Sequence, residues 1–321
     1  MPSSVDLVSR VGSVLLPNPV MTASGTSGHG AELAAYFPLA SLGAVVVKSL
    51  SAFPWPGNPA PRVYEASGGM LNSVGLQGPG VSVWLEEELP GLVAADARVV
   101  VSIWGRSVAE YEQAALLLAG APSSVIAVEV NVSCPNVDDR QRMFAHSATA
   151  TEEVVAAAAA CRRPRWAKLS PNVTDLVEIA DAARRGGAGA VTLVNTVMGM
   201  AIDPERRRYR LGAGGGGLSG AAMHPVAVRA VHDVHAALPD LPIIGVGGIA
   251  TGGDAAEMML AGASAVQVGT ATFGDPRAPV RVLQELRRWA RRQGVARVSQ
   301  IVGSVHRQVP GRHPAETEVR R

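Results

Sequence analysis

Short apolar segments rich in Val and Ile recur along the whole chain, and stretches with the apolar spacing of amphipathic helices separate them. Strands that are buried on both faces have continuous apolar runs of this kind, and their alternation with helices is typical of parallel βαβ units. The predicted strands cover residues 19–23, 44–47, 99–103, 125–130, 166–169, 190–194, 242–246 and 265–268. Predicted helices between them include residues 108–118, 152–161, 176–185 and 280–292.

Eight strand–helix units within 321 residues predict an α/β fold of the (β/α)8 TIM-barrel type. A doubly wound sheet is the alternative, although such sheets usually have fewer strands. The segment VDLVSRVGSVLLPNP, which includes the start of the first strand, predicts a small β-hairpin that covers the bottom of the barrel. We expect one barrel domain over residues 1–306 and a mobile polar tail with two prolines over residues 307–321.

The composition argues against several classes of function. Hydrophobic residues make up 47% of the chain, charged residues make up 17%, and the formal net charge is +2. This balance gives no reason to expect nucleic acid or an anionic membrane as a partner. The sequence has no apolar run of about 18 residues, no features of a secretory leader and only two cysteines. We therefore expect a soluble cytoplasmic protein without a bound metal.

Lysine is rare in this sequence. Lys48 and Lys168 are the only lysines among 29 basic residues, and the other 27 are arginines. Both lie at the ends of predicted strands, where the active sites of TIM barrels are found. A compact ammonium suits places where a planar guanidinium does not fit. Chance is the alternative for a count of two, but the position of both lysines favours a functional site.

Glycines follow the last two predicted strands, in the segments GVGGIATGGD and VGTATF. Gly247 and Gly248 come after the seventh strand, and Gly269 and Thr270 come after the eighth. Glycines let backbone N–H groups approach an anion, and these two loops form the usual phosphate site of TIM barrels. We expect a phosphate-bearing ligand here, with plain tight turns as the alternative. Lys168 would lie beneath it, where an ammonium can stabilise negative charge on a reduced flavin.

One of the two cysteines comes shortly after the fourth predicted strand. In VIAVEVNVSCPN, Cys134 precedes Pro135 and stands between Asn131 and Asn136. A thiol with a pKa of about 8.5 can act as a general base, increasingly so in mild alkali. A covalent nucleophile and a buried apolar group are the alternatives, and the polar neighbours argue against the latter. Cys161, in an Ala-rich helical stretch, fits a structural role.

Several ordered motifs resemble the dihydroorotate dehydrogenase family, from about residue 5 to about residue 303. They are MTASGT, NPAPRVYEASGGMLNSVGLQGPG, EVNVSCPN, KLSPNVTDLVEIA, LVNTVMGMAID, GGLSG, PIIGVGGI and AGASAVQVGTA. The Cys of NVSCPN is similar to that of the soluble class 1 enzymes, whereas the membrane-associated class has Ser there and an N-terminal extension. The segments MTASG, MLNSVGLQ and NTVMGMAID are most similar to the catalytic subunit of the NAD-dependent subclass 1B.

This resemblance implies FMN-dependent oxidation of (S)-dihydroorotate to orotate in pyrimidine biosynthesis. Cys134 would take the proton from C5 of the substrate, the hydride would pass from C6 to flavin N5, and Lys48 would meet the substrate carboxylate. The residues implied in substrate binding are Lys48, Asn72, Ser73, Val74, Gly75, Leu76, Asn131, Asn136, Asn195 and Thr196. Those implied in flavin binding are Ser24, Lys48, Ser49, Ser102, Asn131, Lys168, Val194, Gly220, Gly247, Gly248, Gly269 and Thr270.

Three segments depart from the family's pattern. Ser102 and Gly78 each stand where the family usually has an Asn. The loop VDDRQRMFAHSATA after Asn136 lacks the usual glycines, so Arg142 and His146 could alter access or substrate choice. Oxidation of another dihydropyrimidine, such as dihydrouracil, is therefore an alternative. A flavin-free barrel isomerase or lyase and a non-catalytic paralogue are further alternatives.

The resemblance also implies a homodimer, and a heterotetramer when an electron-transfer subunit with FAD and an iron–sulfur cluster is bound. This chain has neither a cysteine cluster for iron nor a dinucleotide-binding fingerprint, so both centres would lie on the other subunit. Fumarate, a quinone or a dye are the alternative electron acceptors.

Overall fold

A computed structural model describes residues 5–133 and 143–307 of the chain. Its central element is an eight-stranded parallel sheet in which the strands follow one another in chain order. A bridge between Met21 and Ala44 joins the first strand to the second, so the sheet is nearly closed into a barrel. The strands are Val20–Thr22, Val45–Val46, Val99–Ile103, Val125–Asn131, Arg165–Lys168, Ala190–Leu193, Ile243–Val246 and Ala263–Val268.

The predicted (β/α)8 barrel is confirmed, and the alternative of a doubly wound sheet is wrong, because a doubly wound sheet stays open. Every predicted strand overlaps an observed one, with bounds that agree within two residues. The reason is physical: strands covered by helices outside and by side chains inside need apolar residues at every position, and that pattern is local.

Helices connect the strands on the outside of the barrel. The predicted helix over residues 152–161 begins earlier, at Ala148, because Ser147 Oγ accepts a hydrogen bond from the backbone N–H of Ala150. The α-helices are Val81–Val83, Leu89–Ala94, Val108–Leu117, Ala148–Ala157, Leu176–Arg185, His224–Ala237, Gly252–Ala261, Ala271–Gly274 and Ala278–Arg292, with a π-helix at Trp84–Glu88. The 3-10 helices are Glu32–Ala35, Leu39–Ser41, Phe144–His146, Ala158–Cys161, Ala221–Met223, Val298–Gln300 and Ser304–Arg307.

The predicted N-terminal hairpin is confirmed and consists of Ser9–Val11 and Val14–Leu16. Its side chains alternate between buried and exposed: Leu16 is fully buried, whereas Leu15 is 57% exposed. Val11 and Leu16 belong to one apolar cluster with inward-pointing barrel residues such as Trp166. The hairpin therefore closes the bottom of the barrel, as a half-buried antiparallel pair can.

A second sheet, which the sequence pattern did not predict, lies beyond the other end of the barrel. It is antiparallel and consists, in spatial order, of Val197–Met200, Gly215–Ser219, Gly69–Asn72 and Val63–Ala66. Two further short strands, Ile202–Asp203 and Arg208–Tyr209, pair with each other. The chain leaves the barrel after its second and sixth strands to form this sheet.

Two further predictions concern the chain's surroundings and its C-terminus. No helix in the described part of the chain is long and apolar enough to cross a bilayer. Of the tail predicted as mobile, only Arg307 is described, at the end of a short helix, and residues 308–321 lie outside the described residues.

Candidate active site

A cavity of about 490 Å³ opens at the C-terminal ends of the barrel strands, within the range of roughly 300–1,000 Å³ that is typical of ligand sites. The second sheet contributes to its wall through Val63, Met70 and Ser219. Most residues predicted as a site line this one cavity: Ser24, Lys48, Ser49, Asn72, Val74, Gly75, Leu76, Asn131, Lys168, Val194, Asn195, Thr196, Gly220, Gly247, Gly248, Gly269 and Thr270.

Two predicted residues that the structure describes, Ser73 and Ser102, are not among those lining the cavity. Ser102 is fully buried, and its Oγ lies 2.8 Å from the Oγ of Ser49, so it supports the wall from behind. Ser73 Oγ accepts a hydrogen bond from Asn58 Nδ2 at 3.0 Å. Ser102 thus holds Ser49, and Ser73 holds Asn58.

Two other predicted residues, Cys134 and Asn136, lie outside the described residues, and so does Arg142. His146, from the same altered loop, is described and lies exposed at the end of the helix Phe144–His146.

Lys48 brings a positive charge to the cavity. Burial lowers the pKa of Lys48 below its ordinary value, and the positive charge of Arg62 lowers it further. Arg62 is itself held by the backbone carbonyl oxygens of Asn58 at 2.6 Å and Pro56 at 2.9 Å. Within the described residues, no ion pair joins Lys48 to a carboxylate. An anionic ligand would therefore complete this site.

Lys168 ends the fifth barrel strand, and its side chain is only 6% exposed. Its Nζ lies 3.7 Å from Oε1 of Glu129, whose side chain is fully buried. Glu129 Oε2 accepts hydrogen bonds from Thr192 Oγ1 at 3.1 Å and from Gln267 Nε2 at 2.7 Å. Because Lys168 lines the cavity and Glu129 does not, the ammonium lies between the cavity and a buried carboxylate.

A chain of hydrogen bonds links polar residues from four strand ends. Ser24 Oγ lies 3.2 Å from Ser49 Oγ, which accepts a hydrogen bond from Asn131 Nδ2 at 3.2 Å. Asn131 Oδ1 accepts one from Asn195 Nδ2 at 3.3 Å, and Asn195 Oδ1 accepts one from the backbone N–H of Thr196 at 2.8 Å. These contacts fix the orientation of both amides, and fixed amides can recognise a planar ligand with alternating donors and acceptors.

Further hydrogen bonds position two predicted residues, Asn72 and Thr196. Asn72 Nδ2 donates to the backbone oxygen of Gly217 at 3.3 Å. Asn172 Nδ2 donates to the backbone oxygen of Thr196 at 2.9 Å, while Asn172 Oδ1 accepts from the backbone N–H of Met198 at 2.9 Å. Asn172 thus fixes the segment that carries Thr196.

The turns after the last two strands are shaped by their glycines. Gly247 and Gly248 have φ angles of +137° and +67°, which side chains rarely adopt. A Cβ on Gly248 would also lie 2.6 Å from the Cβ of His224, whose Nδ1 is 2.8 Å from the backbone oxygen of Gly247. Backbone, without side chains, therefore faces the cavity here.

Three residues near the site were not singled out from the sequence: Glu129, Asn172 and Ser219. Glu129 carried a signal, because a charged residue inside the apolar run VIAVEV is unusual in a buried strand. Asn172 and Ser219 carried none, since single Asn and Ser residues in loops are common. Ser219 Oγ accepts a hydrogen bond from Thr270 Oγ1 at 2.8 Å, which joins the second sheet to the end of the eighth strand.

The charged side chains in the described wall of the cavity are both lysines. Lys48 and Lys168 line it, and none of the described lining residues is Asp or Glu. In residues 5–133 and 143–307, no group of three or more His, Cys, Asp or Glu side chains is arranged to hold a metal ion. The arrangement suits a polar organic ligand with anionic groups.

Comparisons with known proteins agree with these features. The family model described as dihydroorotate dehydrogenase matches residues 7–289. The chain is 46% identical over 301 residues to "Dihydroorotate dehydrogenase B (NAD(+)), catalytic subunit" of Geobacter sp. (strain M21), covering 94% of this chain and 98% of that protein. It is 47% identical over 297 residues to the protein of the same name from Alkaliphilus oremlandii (strain OhILAs), covering 92% of this chain and 97% of that protein.

A further relative has a different name. The chain is 44% identical over 300 residues to "Putative dihydroorotate dehydrogenase A (fumarate)" of Solibacter usitatus (strain Ellin6076), covering 93% of this chain and 98% of that protein. Matches of this extent, together with the closed barrel and its polar cavity, have one explanation: the chain belongs to the dihydroorotate dehydrogenase family of oxidoreductases.

Proposed function

We propose that this chain binds FMN and oxidises (S)-dihydroorotate to orotate in pyrimidine biosynthesis. The observation that carries the proposal is that the only two lysines of the chain line one cavity, in which no described carboxylate side chain forms part of the wall. FMN has a phosphate and dihydroorotate has a carboxylate, so the pair of ligands would bring the anions that this wall lacks. The relatives named as dihydroorotate dehydrogenases support the same reaction.

The residues of the cavity fit FMN. Bound FMN would supply the ring that accepts a hydride from the substrate. Lys168 offers a desolvated ammonium to negative charge on that ring, where such a charge is stabilised more strongly than in water. The glycine turns at Gly247 and Gly248 let backbone approach a phosphate, and Thr270 and Ser219 add hydroxyl groups nearby.

The substrate proposal depends on the charge and the amides of the wall. Lys48 would pair with the carboxylate of dihydroorotate, because it is half-buried, its charge is repelled by that of Arg62, and it has no ion pair in the described chain. Asn131 and Asn195 would bind the ring edges with amides that are already oriented. Dihydrouracil lacks the carboxylate, so Lys48 favours dihydroorotate over that alternative.

Cys134 is the proposed base that takes the proton from C5 of the substrate. Ser133, the residue before it, lines the cavity, which supports the assignment. Cys161, the other cysteine, is fully buried and its Sγ lies 3.7 Å from the backbone oxygen of Arg163. Burial raises the pKa of the Cys161 thiol, so it is a poor source of thiolate and fits the structural role expected from its sequence.

We propose that the electrons leave through a second subunit to NAD+. Relatives with NAD(+) in their names are called catalytic subunits, which implies another subunit in their complexes. The Solibacter usitatus relative makes fumarate the competing acceptor. Purified chain, mixed with dihydroorotate and either NAD+ or fumarate, separates the two: fumarate reduction by the chain alone would contradict the proposal, whereas NADH formation that requires an added flavin and iron–sulfur subunit would support it.

The test of the main proposal is an anaerobic visible spectrum of the purified protein before and after dihydroorotate is added. We expect the absorption of an oxidised flavin, and we expect dihydroorotate to bleach it while dihydrouracil does not. A flavin band that only dihydrouracil bleaches would move the assignment to another dihydropyrimidine. Protein that takes up no flavin after reconstitution would contradict the proposal as a whole and leave the cavity to another phosphate-bearing ligand.

A further inference from the structure

One carboxylate lies inside the barrel directly behind the cavity. Glu129 belongs to the fourth strand, and its side chain is fully buried. Burying an unpaired carboxylate costs several kcal/mol or more, so such a group is expected to have a defined role or strong partners. The only ion pair of Glu129 in the described chain joins it to Lys168, at 3.7 Å.

The two carboxylate oxygens of Glu129 have different neighbours. Oε2 accepts from two neutral donors, Thr192 Oγ1 and Gln267 Nε2, while Oε1 faces Lys168 and has no hydrogen-bond partner among the residues that the structure describes. Ion pair and donors together hold the carboxylate at a fixed distance from the ammonium. At 3.7 Å in a buried environment, one charge strongly compensates the other.

We infer that Glu129 is a positioning residue that sets the reduction potential of the flavin through Lys168. This inference rests on the proposed binding of FMN. Oxidised flavin is neutral and the reduced ring can carry a negative charge, which an uncompensated ammonium would stabilise strongly. Because Glu129 compensates Lys168, it holds the potential lower than Lys168 alone would, and a reduced flavin can then pass its electrons to the next acceptor more easily.

A merely structural role for Glu129 makes a different prediction. A carboxylate that only fills space and accepts hydrogen bonds could be replaced by an amide of the same shape with little effect on the potential. An effect through charge should instead depend on Lys168. The two roles are separated by measuring the potential in variants that change charge and hydrogen bonding independently.

The experiment is a spectroelectrochemical titration of the FMN-loaded full chain. In Glu129→Gln, we expect the equilibrium constant for flavin reduction to rise by about tenfold, which is about 30 mV for a two-electron couple. Lys168→Met should shift it in the opposite direction. Adding Glu129→Gln to Lys168→Met should change the potential less than Glu129→Gln does in the original protein, because the inferred effect acts through the ammonium of Lys168.

Thr192→Val is the matched control, since it removes a hydrogen bond to the same carboxylate and leaves both charges in place. We expect its potential to equal that of the original protein. If Glu129→Gln binds flavin and leaves the potential unchanged, or raises it equally in the Lys168→Met background, the inference is wrong. If Glu129→Gln alone does not fold, Glu129→Asp replaces it: the shorter side chain moves the carboxylate away from Lys168, so we expect the potential to rise, and an unchanged potential in Glu129→Asp would contradict the inference.

The inference and the proposed function fail in distinguishable ways. A chain that takes up no flavin contradicts both. If dihydroorotate bleaches the flavin but Glu129→Gln leaves the flavin reduction potential unchanged, the proposed function stands and only the inference is contradicted.

Discussion

At the scale of single residues, the charge of Lys48 has a consequence for ligand binding. Orotate is the product of the proposed reaction, and its carboxylate should bind the ammonium form of Lys48. Burial and Arg62 lower the pKa of Lys48 below the ordinary lysine value of 10.5. The ammonium is therefore lost at a lower pH than in a free lysine, and orotate affinity should fall as the pH rises through that lowered pKa.

The measurement is the orotate dissociation constant of the FMN-loaded protein between neutral pH and about pH 10. We expect a rising dissociation constant that begins below the pH of ordinary lysine titration. Lys48→Met should bind orotate at least about tenfold more weakly, the scale of a lost charged hydrogen bond, and its affinity should no longer change over that range. If the orotate dissociation constant of Lys48→Met changes with pH as it does in the original protein, another group causes the pH dependence.

Cys134 leads to a prediction with an internal control. Cys134→Ser should slow flavin bleaching by dihydroorotate at neutral pH by about 10²–10⁴-fold, because a serine hydroxyl is a far weaker base than a thiolate. Cys161→Ser is the control, since Cys161 is buried on a helix away from the cavity lining. Stopped-flow absorbance measures both. Equal rates for Cys134→Ser and the original protein would exclude Cys134 as the base.

Individual site residues differed in how well the sequence revealed them. The two lysines were predictable because lysine is so rare in this chain and both stand at strand ends. The partnership of Lys168 with Glu129 was not, since the two residues lie on neighbouring strands and their distance depends on the register that pairs Asn131 with Lys168. The same holds for Ser102, whose position behind Ser49 follows from barrel geometry that no local pattern contains.

At the scale of elements, the barrel strands were predictable and the second sheet was not. A strand buried on both faces has a continuous apolar run, whereas Gly215–Ser219 has three glycines and no alternation. Its partner strand Gly69–Asn72 is distant in sequence, as the separation of 145 positions between Asn72 and Gly217 illustrates. Pairing of this kind depends on long-range contacts, so only the assembled barrel brings the two segments together.

The glycines of the second sheet lead to a prediction about this element. A Cβ on Gly217 would lie 2.0 Å from Oγ1 and 2.6 Å from Cβ of Thr196, so the strand or the Thr196 segment must shift. Overpacking of this kind costs about 1–3 kcal/mol. We expect Gly217→Ala to weaken orotate binding about tenfold or more while FMN uptake remains, because Thr196 belongs to the proposed substrate side of the cavity.

Orotate titration and flavin content measure the two effects separately. Gly120→Ala is the matched control, since a Cβ there meets nothing within 4 Å. It should leave both quantities unchanged. Loss of FMN together with orotate binding in Gly217→Ala would instead mean that the second sheet supports the whole cavity.

At the scale of the whole molecule, the cavity brings together residues from strands that are far apart in the sequence. Ser24 follows the first strand, Lys168 ends the fifth and Thr270 follows the eighth, and all three line the cavity. Lys48 follows the second strand, so a ligand that contacts both Ser24 and Lys48 would also connect the two sides of the closure between the first and second strands. Bound FMN should therefore stabilise the barrel as a unit.

The final prediction concerns removal of FMN. A ligand that binds only the folded chain stabilises it by about 2.7 kcal/mol when its free concentration is about 100 times its dissociation constant. For a chain of 321 residues, with an unfolding entropy of about 2.1 cal/mol/K per residue, that corresponds to a rise in Tm of roughly 4 °C. Thermal unfolding of the stripped protein, with and without added FMN, should show this rise as one cooperative transition. In Lys168→Met the rise should be smaller at the same FMN concentration, because the desolvated ammonium no longer contacts the ligand. A stripped protein whose Tm does not respond to FMN, and responds to another phosphate compound instead, would show that the glycine turns and the two lysines serve a different ligand.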